Sequence, residues 1–192
     1  MLALTWPLAL ACAHAVRPYD YAAEPDPRKH EFVLGPSDVL RVTVWHNPDL
    51  SGEVIVRPDG TITVPLVGDL PALGRTPAEV RAELTQRLAA FVKDDAAVVT
   101  VAVTAINSYR FTVSGSVERP GTFSANHYMT VSEAMALAGG PNRFSAPEDT
   151  VVIRTDPQGG TRRIPIDYTA MLAGKHPEQN VALLPGDVIY VP

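Results

Sequence analysis

Five histidines, His14, His30, His46, His127 and His176, are the side chains in this 192-residue sequence best suited to ligate a metal or move a proton near neutral pH. They are scattered without metal-ligand spacing, and no H-E-x-x-H, phosphate-cradling glycine loop or G-x-S-x-G elbow occurs. The acidic pairs Asp94-Asp95 and Glu148-Asp149 fall at expected element ends, where carboxylates are ordinarily solvated. The single cysteine, Cys12, excludes an intrachain disulfide and a cysteine-built zinc site. Trp45, Tyr109, Phe123 and Tyr128 carry rings able to stack on sugars, although inward-alternating aromatics are more often core. Arg162-Arg163 can meet an anionic polymer, with an exposed strand face as the plainer reading. Sixteen Lys and Arg against 21 Asp and Glu give a net charge of −5, which lacks the footprint of a phosphate-backbone binder. No cofactor, no catalytic constellation and no nucleic-acid partner are expected.

The elements that must position these residues are most legible between Arg110 and Gly140. Polar and apolar residues alternate from Arg110 to Val117, placing Phe111, Val113, Gly115 and Val117 on one side of a half-buried strand. Pro120-Gly121 suits the central pair of a type II turn, proline presetting φ and glycine supplying the positive φ. Thr130 stands at capping-box spacing from Glu133, Val131, Ala134, Met135 and Ala138 share a helical face, and Gly139-Gly140 stops the helix.

Upstream, a Gly35-Pro36 turn leads into a strand ending at Trp45. Glu53 to Val67 reads as a hairpin about Asp59-Gly60, with Ile62, Val64 and Leu66 facing the core. Thr76 caps a helix from Pro77 to Val92 whose apolar stripe is Val80, Leu84, Leu88 and Phe91. Val98 to Ile106 alternates as a strand. Downstream, Thr150 to Thr155 and Thr161 to Ile166 form a hairpin, Asp167 caps a short helix to Ala173, and a last strand ends at Pro192.

The words around Gly35, Pro36 and Asp38 return around Pro185, Gly186 and Asp187, each followed by a strand. An aspartate so placed accepts nearby backbone N–H groups, so Asp38 and Asp187 are expected to form turns rather than to catalyse. The expected fold is α+β in two small lobes. No run of apolar residues reaches the roughly 18 of a transmembrane helix.

In this order and spacing, the G-x-V-x-x-P-G turn through Gly115, Pro120 and Gly121, the T-x-x-E-A helix from Thr130 and the stop at Gly139-Gly140 resemble the SLBB domain, a β-grasp-like module of bacterial polysaccharide export proteins. The phrases LGPSDVLRVTVW near Phe32, VRPDGTITVPLVG near Val56, which holds Asp59-Gly60, and GRTPAEVRAEL near Gly74 resemble the export domain of Wza-type outer-membrane proteins. The resemblance implies an export domain at 32–106, whose opening strand at 32–45 can pack with the next domain, and an SLBB domain at 107–192.

Leu8 to Cys12 resembles the lipobox of a bacterial lipoprotein signal at 1–12, imperfectly, because Ala9 stands where leucine is usual and no Lys or Arg precedes the apolar segment. A buried N-terminal strand is the other reading of that run. Residues 13–31, with Pro18, Pro25 and Pro27, then read as a tether or as an ordinary disordered terminus. Each buried lipid methylene is worth about 0.8 kcal/mol, so several chains on Cys12 would hold the protein stably at a membrane.

By resemblance the protein is a non-enzymatic, lipid-anchored component of capsular or exopolysaccharide export on the periplasmic face of the outer membrane. It would form a homo-oligomeric ring that lines or gates a conduit for the exported polysaccharide, with an inner-membrane polysaccharide co-polymerase as partner. The second SLBB domain and pore-forming amphipathic helix of larger members do not appear in this sequence, so a separate outer-membrane pore of β-barrel type is expected. A soluble-ligand module that senses a glycan without transporting it is the alternative.

Overall fold

Strands of alternating apolar residues and amphipathic helices build two lobes, each with its own buried core. The computed structural model describes residues 19–91, 98–156 and 158–192. Cys12 and the lipobox, His14, Pro18, the Val92 end of the expected helix and Asp94-Asp95 lie outside them.

The first lobe contains β1 (Val39–Val44), β2 (Gly52–Ile55), β3 (Thr61–Val64), β4 (Gly68–Pro71), α1 (Pro77–Leu88) and β5 (Val99–Ala105). β1 is central, antiparallel to β2 and to β5, while β3 and β4 form a separate hairpin. Leu40, Val42 and Val44 of β1 meet Ile62 and Val64 of β3 and Val80, Leu84 and Leu88 of α1 in one buried core. The Thr76–Glu79 capping box and Pro77 start α1, so its first N–H groups have partners before the apolar stripe begins.

The second lobe contains β6 (Arg110–Gly115), β7 (Gly121–Ser124), α2 (Val131–Leu137), β8 (Thr150–Thr155), β9 (Thr161–Ile166), α3 (Tyr168–Leu172) and β10 (Val188–Val191). Its sheet order is β7-β6-β10-β8-β9. The last strand is thus the middle one, parallel to β6 with Val188 beside Thr112, and antiparallel to β8 with Val188 beside Ile153. Phe111, Val113, Val152, Ile164 and Ile189 cover one sheet face, and Val131, Ala134 and Met135 of α2 pack in the same core. The Glu133 carboxylate accepts from the Thr130 N–H at 2.7 Å and from its hydroxyl at 2.9 Å, and Gly139 and Gly140 end the helix at φ of 81° and 83°.

Several expectations are corrected. The opening strand β1 is hydrogen-bonded within its own lobe's sheet, to β2 and β5, while Phe32 and Asp38 of the same opening segment touch residues past 106, and Trp45, expected to end the strand, lies beyond it, exposed. A turn does form at Asp59-Gly60, with the Arg57 N–H on the Thr61 carbonyl at 2.8 Å, but its arms enter different sheets and make no hairpin. Leu66 does not face the core: it sits exposed at φ 64° in the tight turn between β3 and β4. α1 stops at Leu88, leaving Phe91 exposed.

Gly121 is not a turn residue but the first residue of β7. The reversal begins at Gly115, φ 86°, and is pinned by a bridge from Val117 to Pro141. A Cβ on Gly115 would stand 2.0 Å from the Val191 carbonyl oxygen, so glycine there lets β10 come alongside.

The segment expected to be a tether is folded from Tyr19 onward. Asp20 and Asp26 cap single turns at Tyr21–Ala23 and Pro27–Lys29, and the Tyr21 hydroxyl donates to the Pro165 carbonyl on β9 at 2.6 Å.

Candidate functional site

The two aspartates of the repeated turn carry the same local bond. Asp38 accepts from the Gly35 N–H at 2.9 Å, and Asp187 accepts from the Leu184 N–H at 2.8 Å. Both are buried, and their remaining lone pairs are spent differently.

Asp38 reaches the junction of the lobes, accepting from the N–H groups of Asn107 and Ser108 at 2.8 Å each and from the Ser108 hydroxyl at 2.8 Å. Gly35 permits this approach, since a Cβ there would stand 2.3 Å from the Ser108 Cβ. The first lobe's opening turn is therefore latched onto the residues that lead into β6.

Asp187 instead takes a two-pronged ion pair from Arg154, with Nε at 3.0 Å from Oδ1 and Nη2 at 2.6 Å from Oδ2. Arg154 Nη2 also donates to the Ala182 carbonyl at 2.9 Å, and Nη1 donates to Glu24 at 2.7 Å. Glu24 accepts from Arg162 at 2.9 Å and from the Tyr19 hydroxyl as well. The side chains of Glu24, Arg154 and Asp187 are 3%, 2% and 1% exposed, so the centre of the network is shielded from solvent, while Arg162 at its edge is 38% exposed. Burial first, and then the hydrogen bond to Glu24, push the Tyr19 hydroxyl up to about 12. The N-terminal segment is thereby strapped over the edge of the second lobe.

Between strap and lobes lies a cleft of about 440 Å³. Arg28 and His30 of the strap and Phe32 before β1 form one side. Tyr109 just before β6, with His127 and Tyr128 from the loop before α2, forms the other. Tyr109 makes the floor: its hydroxyl accepts from the Met129 N–H at 2.9 Å and donates to the Leu183 carbonyl at 3.2 Å. Tyr128 lies edge-on to Tyr109 with centroids 5.1 Å apart, and Phe32 is 6.3 Å from Tyr128 across the lobe boundary. Burial raises the hydroxyls of both tyrosines above the ordinary value, keeping them neutral. At the rim, Arg28 forms a two-pronged pair with Asp26 at 2.8 and 3.0 Å, and His127 meets the Asn126 side chain at 3.0 Å.

Tyr109 and Tyr128, two of the four rings singled out in the sequence, come together here, whereas Trp45 is exposed elsewhere and Phe123 stacks on Phe111, with centroids 6.0 Å apart. Of the turn residues, Gly60 and Gly186 hold positive φ, while Pro36, Asp59, Pro120 and Pro185 lie in connections outside the cleft. Among the described residues no group of His, Cys, Asp and Glu could hold a metal ion.

Sequence reasoning missed Glu24 and Arg154. Arg154 had a readable signal: Thr150, Val152 and Arg154 alternate inward on β8, and an arginine on the inward face of a strand demands a buried anion. Nothing local marks Glu24 as that anion.

Residues 26–104 match the family described as polysaccharide biosynthesis/export protein, and residues 110–166 match the SLBB domain. The second match ends before α3 and before the central strand β10. The chain is 30% identical over 184 residues to the EPS I polysaccharide export outer membrane protein EpsA of Ralstonia solanacearum, covering 83% of this chain and 47% of that protein. It is 35% identical over 130 residues to the exopolysaccharide production protein ExoF of Rhizobium meliloti (strain 1021), covering 60% and 30%. It is 27% identical over 171 residues to the capsule polysaccharide export protein BexD of Haemophilus influenzae, covering 79% and 41%. The chain thus spans less than half the length of each of these relatives. An export domain followed by a single SLBB domain, matched separately on the two lobes, makes this chain a member of the polysaccharide export family.

Proposed function

We propose that this protein is a non-enzymatic component of capsular or exopolysaccharide export, working on the periplasmic face of the outer membrane. The observation that carries this is the presence of both domains in one chain that is similar to proteins named for exopolysaccharide and capsule export. Its role is architectural: copies of the chain assemble into a ring that lines or gates the path of the polymer. An inner-membrane polysaccharide co-polymerase is its partner, and lipid on Cys12 is its hold on the membrane. Among the described residues no helix is long and apolar enough to cross a bilayer.

Deleting the gene in its host and measuring polymer on the surface and inside the cell tests the role. Loss from the surface with polymer or precursors retained inside is the expected result. Unchanged surface polymer, with no paralogue compensating, overturns it. Crosslinking in cells tests the ring separately, and a species that stays monomeric in cells and in detergent at high concentration removes the ring while leaving the export role standing.

A further inference from the structure

We propose that the cleft between strap and lobes binds an acidic sugar residue of the polysaccharide, with the pyranose ring against Tyr128 and Phe32 and the sugar carboxylate toward Arg28 and His127. The inference rests on the export role and names a contact point for the polymer within it.

Shape comes first. At about 440 Å³ the cleft falls within the roughly 300–1,000 Å³ typical of ligand sites, and it is mostly apolar with polar groups at the edge. Its aromatic wall is built rather than accidental. Tyr109 is fixed through both bonds of its hydroxyl, Tyr128 is braced edge-on against it, and Phe32 arrives from the other lobe. An aromatic surface of this kind offers the apolar face of a sugar ring a place to stack, while the ring hydroxyls reach rim groups such as the Asn126 amide.

Charge decides the class of sugar. The lining includes Arg28, His30 and His127 and no Asp or Glu, in a chain whose net charge is −5; the carboxylates nearest these cations are Asp26, paired with Arg28, and Glu133, which feels the charge of Arg28 and His127 while its oxygen is spent on Thr130. Arg28 uses Nε and Nη2 on Asp26, and among the described residues Nη1 has no partner. The Asp26 pair orients the guanidinium and leaves that edge for a second carboxylate. A neutral sugar gains the stacking surface alone.

The latch and the strap bear on the same place. Asp38 ties the turn after Phe32 to Asn107 and Ser108, and Glu24 ties the strap to β8 and β9. Both walls of the cleft are thereby held at a set separation before any ligand arrives.

The test uses the full chain, titrated with tetragalacturonate as a carboxylate-bearing oligosaccharide and with cellotetraose as a neutral one, followed by amide chemical shifts. The expected result is saturable shifts confined to residues 28–32, 106–109 and 126–128, with cellotetraose at least tenfold weaker. His127→Ala and Arg28→Gln, both exposed at the rim and free of core packing, should each weaken tetragalacturonate at least threefold with the other amides unchanged; Tyr128→Ala should weaken it at least tenfold. Equal affinity for the two oligosaccharides, shifts elsewhere, or no binding at millimolar concentration overturns the proposal. Failure here is separable from failure of the export role. A host whose surface polymer depends on the gene, together with a protein that binds neither probe, retains export and removes the cleft site. A protein that binds selectively in a host whose polymer is unaffected by deletion removes the export role.

Discussion

At the residue scale, one device serves two purposes in this molecule. An aspartate closes a turn by accepting the N–H three residues before it, and its other lone pairs stay available inside the fold. In the first lobe those lone pairs take linker N–H groups; in the second they take Arg154. The two arrangements differ in risk. Asp38 has hydrogen-bond donors, whereas Arg154 separates two buried carboxylates that would otherwise face each other's charge.

Arg154→Met should therefore cost about 3–5 kcal/mol in chemical denaturation, because Asp187 keeps its burial and loses its counter-charge while Glu24 is left with Arg162 alone. Arg154→Met with Asp187→Asn should recover part of that loss. Tyr19 makes the strap sensitive to alkali. Its hydroxyl is raised from 10.0 to about 12, so the neutral form is favoured when docked. That contribution is complete below pH 10 and is lost as pH rises through about 12. Limited proteolysis of residues 19–31 should accelerate across that window, and Tyr19→Phe should weaken the dependence, leaving the part that belongs to Tyr21, whose hydroxyl burial also raises and which donates to the Pro165 carbonyl.

At the element scale, β6 and β10 are the pair on which the second lobe depends. They are parallel, so no hairpin can deliver one to the other, and most of the lobe lies between them in sequence. Gly115→Ala should be severe, at about 4 kcal/mol or more, because it combines a positive φ with a collision against the β10 backbone. Thermal unfolding of the variant should show loss of the second lobe while the first persists.

Elements defined by local rules were legible. β8, β9 and the Asp167-capped α3 lie where alternation and capping put them, as does the start of α1 at Thr76-Pro77. Errors fell at element ends and partners. Leu66 continued an apolar alternation past the point where the backbone turned, and Phe91 continued a helical stripe past the end of the helix. Periodicity reports which side of an element is apolar and carries no information on where hydrogen bonding ceases.

At the scale of the whole molecule, the lobes have separate cores and are joined by the Asp38 latch, the Phe32–Tyr128 contact and the strap. Asp38→Ala leaves the N–H groups of Asn107 and Ser108 without their acceptor and should cost about 2–4 kcal/mol. Because those groups sit at the junction, the loss should appear as two separate thermal transitions and a larger radius of gyration in solution scattering. The strap also orients the molecule on a membrane if Cys12 carries lipid. Cys12 stands seven positions before Tyr19, a reach of at most about 25 Å. A fluorophore at Arg163→Cys on exposed β9 should then be quenched by lipid-borne quenchers, and a Cys12→Ser change should remove the quenching.

Sequence alone determined the α+β class, the two lobes' principal helices and the family resemblance, because each is written in motifs and spacing along the chain. The tertiary structure decided the neighbours: β1 within its own sheet, β10 in the middle of the other, Glu24 on Arg154, and Phe32 against Tyr128. Those contacts join residues as far as 130 positions apart. Local propensity acts over a few residues, and only burial of both partners in one folded chain brings such distant groups within bonding distance.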